Sequence, residues 1–535
     1  MTVSGTDERM NMKFFNSFFI CLYSLSVING EEIVETLTGS VKGKIIKVLS
    51  SDVYAYLGIP YAYPPVDELR FRAPQPISKW HGILDATIMA PACTQDPGNL
   101  LWVPAEKRTL KPFTTMVWIH GGAHNTGSST MPIYNGRYLA SIGNVIVVSF
   151  NYRLGSFGFM YLNDTRMPGN MGMLDQVTAL QWIYNNIECF GGDRNDITLF
   201  GESTGSVSIT DHMISPLSRG LFRRSILQSG SNYNRYFAIK PESNEKTTKK
   251  IATIAGCNTR NTSPNDVINC LLSLTAEDLA AAERKFSVSD MNLVTFAEQV
   301  DGHFLFDNGI NSINNGAIHA REVMIGNVGN EGSPFLLYYK PKFRTKDIPN
   351  LSKSEAEYIL SKLFLLNKTR LEAISEEYFG KLSNCDYSSI AERTIEALGD
   401  GLFVCPTVAL AEKLWQYDNT VYFYNFNYSH ITGGYKKWEG VPHFEEIYFV
   451  FGMPFMYPEE YTDEEKYFSY QIIRLWTSFA KTGKPCENQN EDCLPFDPIY
   501  RRIVNLEPYN FHIYKEKAKK ECRLWLQHHR DAISS

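Results

Sequence analysis

Short apolar runs alternate with helical patterns through the middle of the chain. "TMVWI" at 115–119 and "NVIVVSF" at 144–150 are brief, β-branched and apolar. Runs of that length without polar alternation predict strands buried on both faces. "NMGMLDQVTALQWIYNNI" follows, with Leu174, Val177, Leu180 and Ile187 near helical spacing. "DITLF" at 196–200 predicts a further strand, and "GSVSITDHMIS" must turn quickly into a helix. "REVMIGNV" and "TVYFYNF" supply later strands. Strand, helix and strand in repetition predict an α/β fold with a parallel sheet and crossover helices. No internal repeat and no low-complexity linker interrupts the pattern.

The N-terminus has a different pattern. Lys13 precedes an apolar stretch from Phe14 to Val27, and small Gly30 follows. Basic, apolar and small residues in that order predict that residues 1–30 are an extension and a secretory signal peptide. The stretch is too short to span a bilayer comfortably. The C-terminal "LQHHRDAISS" is polar and carries no hydrophobic lipid-anchor tail, so no transmembrane anchor is expected. Secretion changes how two residue types read. Of ten cysteines, Cys21 lies in the expected signal and the others become candidates for pairing in an oxidising compartment. Five N-x-S/T triplets, at Asn163, Asn261, Asn350, Asn367 and Asn427, become glycosylation candidates. At 44% hydrophobic and 21% charged residues the chain is ordinary for a globular protein. A net charge of −6 without a long basic run argues against nucleic-acid binding.

The chemistry gathers around "TLFGESTGS" at 198–206. Five residues of the form GxSxG are weak alone. Here they join a strand to a helix, which is the context a nucleophilic serine needs. Gly201 and Gly205 let strand and helix approach, leaving the Ser203 hydroxyl exposed on a strained turn. The backbone N–H of Thr204 would then face a developing oxyanion. "VWIHGGAHNTG" places Gly121, Gly122 and Ala123 after another strand, where small residues let N–H groups converge on a carbonyl oxygen. The serine needs a base, and the base an orienting acid. Asp301 in "QVDG" and Glu331 in "GNVGNEGS" are the acid candidates. Glu331 follows a strand in a glycine-rich loop, whereas Asp301 suits a turn anchor. His430 and His443 both come late enough in the chain to be the base, and spacing does not separate them. His528 and His529 lie in a polar tail and are poor candidates.

Longer motifs carry a resemblance. "YLGIPYAYPPVDELRFRAPQP", "NYRLGSFGF", "PGNMGMLDQVTALQWIYNNI", "FGGDRNDITLFGES" and "SPLSRGLFRRSILQSGS" are of one pattern. With "EEIYFVFGMPF" they identify residues 31–535 as similar to the type-B carboxylesterase/cholinesterase family, nearest its invertebrate acetylcholinesterase-like members. The resemblance implies one α/β-hydrolase domain, with a large mostly parallel sheet flanked by helices. It implies Ser203 as nucleophile, Glu331 as acid and His443 as base, with Gly122, Ala123 and Thr204 as oxyanion donors. It places Glu202, Phe296 and Phe335 at the substrate pocket. It pairs Cys257 with Cys270 and Cys405 with Cys522, and gives weaker support to a Cys486–Cys493 loop. It implies a small-molecule ester as substrate, no metal or cofactor, and a homodimer through C-terminal helices to which "ECRLWLQHHR" would contribute.

The departures from the family pattern point the other way on specificity. Between "PACTQDPG" and "NLLWVP" the family carries a cysteine-closed loop that is missing here, leaving Cys93 without its family partner. That loop holds the tryptophan that binds choline by a cation–π contact. Trp102 matches the strand after the loop and does not replace it. Arg70 loses the acidic partner that the missing segment supplies. Three readings follow: an acetylcholinesterase-like esterase, a carboxylesterase of low choline selectivity, and a non-catalytic cholinesterase-like binding protein.

Overall fold

The computed structural model describes residues 27–28, 31–89, 98–104, 112–234, 236–237, 239–290, 294–339, 348–430, 433, 436–486, 493–515 and 519–534. The signal-peptide reading therefore falls, apart from Val27 and Ile28, outside the described residues, as does Cys93.

One large sheet organises the chain. Its main strands are β1 (Glu31–Thr36), β2 (Gly39–Val48), β3 (Ser51–Pro60), β4 (Gly98–Pro104), β5 (Phe113–Ile119), β6 (Ile146–Phe150), β7 (Gly192–Glu202), β8 (Arg224–Gln228), β9 (Glu322–Val328), β10 (Thr420–Phe426), β11 (Arg502–Leu506) and β12 (His512–Lys515). They lie side by side in the order β1-β2-β3-β4-β6-β5-β7-β8-β9-β10-β11-β12. From β6 to β11 all neighbours are parallel. β1 to β4 and β12 are antiparallel flanks. The predicted strands all fall in the parallel block. The antiparallel side escapes a search for apolar runs because its strands mix exposed and buried positions, as in "GSVKGKIIKV" of β2.

The parallel strands are apolar throughout because both faces are covered. Every residue of β5 is buried. Successive side chains point to opposite faces of a strand. Val117 and Ile119 accordingly join Leu199 and Leu227 in one core, under α1 (Met171–Asn186). Met116 and Trp118 join Phe200 and Ile226 in the other, under α5 (Asp463–Thr482), which contributes Trp476 and Phe479. Between these helices in sequence come α2 (Thr204–Ile214), α3 (Tyr387–Gly399) and α4 (Cys405–Gln416). A π-turn at Asp400–Val404 joins α3 to α4. This helical stretch, Tyr387–Gln416, is long and apolar enough to cross a membrane, but 89% of its apolar window is buried inside the protein.

The C-terminal "polar tail" is a helix, α6 (Lys520–Ser534). His529 is fully buried there and its Nε2 lies 3.0 Å from the Gly401 carbonyl, so both C-terminal histidines are packing groups. Among the described residues three disulfides are formed: Cys257–Cys270, Cys405–Cys522 and Cys486–Cys493. β4 lies between β3 and β6, with Trp102 paired to Ala55 and Val147. Arg70 donates to the Leu274 carbonyl at 2.7 Å and lies 5.2 Å from the rings of Phe71 and Phe157.

Candidate active site

Ser203 stands between the end of β7 and the start of α2. Its backbone has φ 56° and ψ −126°, a conformation costly for a residue with a Cβ. The crowding that enforces it is visible at the two glycines. A Cβ on Gly205 would lie 2.1 Å from the Ile119 carbonyl oxygen, and one on Gly201 2.7 Å from the same atom. Ser203 N–H donates to the Gln228 carbonyl at 2.9 Å, which ties the turn to β8. Beside it, the loop after β5 turns with φ 111° at Gly122 and 55° at Ala123. Gly122, Ala123, Ser203 and Thr204 all face one cavity of about 1600 Å³.

Glu331 and His443 come together through their backbones. Asn330 N–H donates to the Val441 carbonyl at 2.8 Å, and Asn330 Oδ1 accepts from Val441 N–H at 2.9 Å. This pairing sets the two loops face to face. Glu331 Oε1 accepts from Val328 N–H at 2.9 Å, and its Oε2 lies 2.6 Å from His443 Nδ1. The other ring nitrogen, Nε2, lies 2.8 Å from Glu202 Oε1. Among the described residues no hydrogen bond joins Ser203 to His443; resting sites often hold this contact loosely. Burial pulls the His443 imidazole down, but the carboxylates of Glu202 and Glu331 outweigh it and hold its pKa well above the usual histidine value. Burial lifts the Glu202 carboxyl, against the pull of His443.

The alternatives are elsewhere. His430 Nδ1 lies 2.6 Å from Glu445 Oε1, packed on Tyr461, outside the cavity wall. Asp301 Oδ1 accepts from the backbone N–H groups of His303, Phe304 and Leu305 at 2.8–3.0 Å, holding a turn.

The carboxylesterase family matches residues 30–525. A cholinesterase of Mus musculus is 35% identical over 92% of this chain and 86% of its own length. This chain belongs to the carboxylesterase family.

In this carboxylesterase, aromatic side chains line the pocket beside the candidate base. Phe335 lines it with its ring 5.3 Å from that of His443. Phe403, not foreseen from the sequence, stacks on His443 at 4.3 Å from the π-turn. Phe296 is 1% exposed and buried in the core, and the cavity wall there is made by its neighbours Thr295 and Ala297. A second unforeseen residue is Glu446, which opens the short helix Glu446–Val450 three residues after His443. Burial, then the nearby Glu202 charge, push its carboxyl up to about 8. Its Oε1 accepts from Gln228 Nε2 at 3.0 Å, and Gln228 Oε1 accepts from Trp476 Nε1 at 3.1 Å. The i, i+3 spacing from His443 was the only signal in the sequence. All five sequon asparagines are exposed.

Proposed function

We propose that this carboxylesterase hydrolyses small carboxylic esters through an acyl-enzyme on Ser203. The observation that carries the reading is the Glu331–His443–Glu202 chain of contacts beside the strained Ser203 turn. His443 takes the Ser203 proton as the hydroxyl attacks the ester carbonyl. The N–H groups of Gly122, Ala123 and Thr204 receive the negative charge on the oxygen. His443 then protonates the leaving alcohol, and it activates the water that releases the acid. Glu331 holds the ring and stabilises the imidazolium. A phosphonylating probe should label Ser203, and Ser203→Ala should lose both label and turnover. Equal labelling of the variant would refute the nucleophile.

Small neutral esters should be hydrolysed nearly as well as choline esters, although the mouse relative is named a cholinesterase. Supporting this is the missing family loop with its tryptophan. A desolvated cation–π contact is worth about 2 kcal/mol, roughly thirtyfold in affinity. At physiological salt the ratio of kcat/KM for a choline ester over a neutral ester of equal acyl length should stay below about a hundredfold. A larger ratio would restore the acetylcholinesterase-like reading. Secretion is supported by the exposed sequons and three disulfides. A homodimer through the C-terminal helices is supported by family analogy alone, and sedimentation of the purified protein decides it.

A further inference from the structure

Behind the oxyanion loop lies a buried polar cluster that the reaction does not use. Gly122, Ala123 and His124 have φ values of 111°, 55° and 56° in succession. Two consecutive side-chain-bearing residues in the left-handed region are costly, and such strain persists only where the surroundings over-determine it. The same conformation turns successive N–H groups toward one concavity, which is what an oxyanion hole requires. Something must therefore hold the loop in place.

His124 is the group placed to do so. Its side chain is fully buried and its ring stacks on Phe159 at 5.0 Å. Its carbonyl accepts from Gly155 N–H at 2.6 Å. Its Nε2 lies 3.2 Å from Ser208 Oγ and 3.3 Å from Glu298 Oε1. Ser208 is on α2, one turn beyond Thr204. Gln176 Nε2, from α1, donates to the same Ser208 hydroxyl at 3.2 Å. We propose that His124 is a positioning residue. It ties the strained loop that presents the Gly122 and Ala123 N–H groups to the helix that presents Thr204, and so sets the geometry of the oxyanion hole. Burial pulls its imidazole down to about 3, so the strut adds no charge beside the oxyanion. Thr204 and the loop would otherwise be free to shift against each other. A misplacement of about 1 Å is enough to cost roughly a hundredfold in rate.

The inference rests on the Ser203 reading above. Three single variants and the double His124→Phe/Ser208→Ala variant test it with a small neutral aryl ester and with a trifluoromethyl ketone, which forms a tetrahedral adduct and so needs the hole. His124→Phe keeps a ring on Phe159 and removes Nε2. Ser208→Ala removes the other end of the bond and leaves the ring, so it serves if the first variant does not fold. His124→Gln returns a polar group near the Nε2 position. The first two should lower kcat about 10–100-fold with KM within twofold, and weaken the ketone by the same factor. The double variant should be no worse than either single one, and His124→Gln should recover most of the loss. Unchanged kcat and ketone affinity in both single variants would overturn the proposal. So would equal weakening of the ketone and of a ground-state competitive inhibitor. Failure of the Ser203 reading is recognised separately, by a wild-type protein that takes no phosphonyl label.

Discussion

The cavity floor hangs on the edge of the sheet, while its wall is assembled from later loops and helices. On the floor, Gly121, Ser203 and Glu331 each follow a parallel strand by no more than three residues. Their neighbours are backbone atoms: the Ile119 carbonyl against Gly205, and the Ile395 carbonyl 1.9 Å from where a Cβ on Gly332 would sit. The wall is made of side chains of mixed character, among them Glu283, Arg284, Thr295, Tyr338 and Lys362. Backbone cannot yield without moving a strand, whereas side chains turn. The floor thus admits almost no change, and the wall is where a member of this family acquires its own substrate.

The largest difference is expected between the histidine in the cavity and the one outside it. His443→Ala should lower kcat by about 10⁴-fold or more, because a triad acts as a unit. His430→Ala should leave turnover within a few-fold. It removes the bond to buried Glu445 and should cost about 1–3 kcal/mol in stability, read as a lower denaturant midpoint. A crippled His430 variant would reverse the assignment. Next comes Gly205→Ala, which drives a Cβ into the Ile119 carbonyl. We expect about 3–5 kcal/mol of lost stability by urea unfolding; a loss under 1 kcal/mol would show that the floor gives way easily.

Third is Glu202→Gln. Glu202 raises the His443 pKa, and an imidazole must be deprotonated to act as base. Removing the charge lowers that pKa, so the acid limb of kcat/KM should move to lower pH. An unmoved or opposite limb would detach Glu202 from the base. The smallest effect belongs to the wall. Thr295→Trp should narrow the cavity and lower kcat/KM for a bulky acyl ester about tenfold, while an acetate ester changes less than twofold. Equal losses on both esters would mean that floor and wall are coupled.

The same contrast governs how far the sequence could be read. The parallel strands and the Ser203 turn were legible because a doubly buried strand and a crowded turn each leave a local mark: apolar runs, and glycines at fixed places. His443 was not separable from His430 by position. What separates them is the pairing of Asn330 with Val441, a contact across 111 residues. Glu446, His124 and Phe403 look like ordinary helix and loop residues until the fold sets them around the floor. Phe296 shows the converse: an aromatic near the right stretch, buried in the core while its neighbours take the wall. The antiparallel flank was silent because half-exposed strands dilute the hydrophobic signal.

The π-turn that stacks Phe403 on His443 is gripped by the last described helix. Cys405 is bonded to Cys522, Lys519 Nζ lies 2.9 Å from Asp400 Oδ1, and His529 reaches Gly401. On the ribosome, residues 519–534 emerge after every other element described. Ser203 and the loop of Gly122 and Ala123 are made more than 300 residues earlier, whereas the last strand of the sheet, His512–Lys515, only just precedes this segment. The disulfide partner of Cys405 thus follows it by 117 residues, whereas Cys270 follows Cys257 by only 13. A nascent chain stalled before residue 519 would carry the serine but lack the clamp behind the histidine's aromatic neighbour, so maturation of the site waits on residues 519–534.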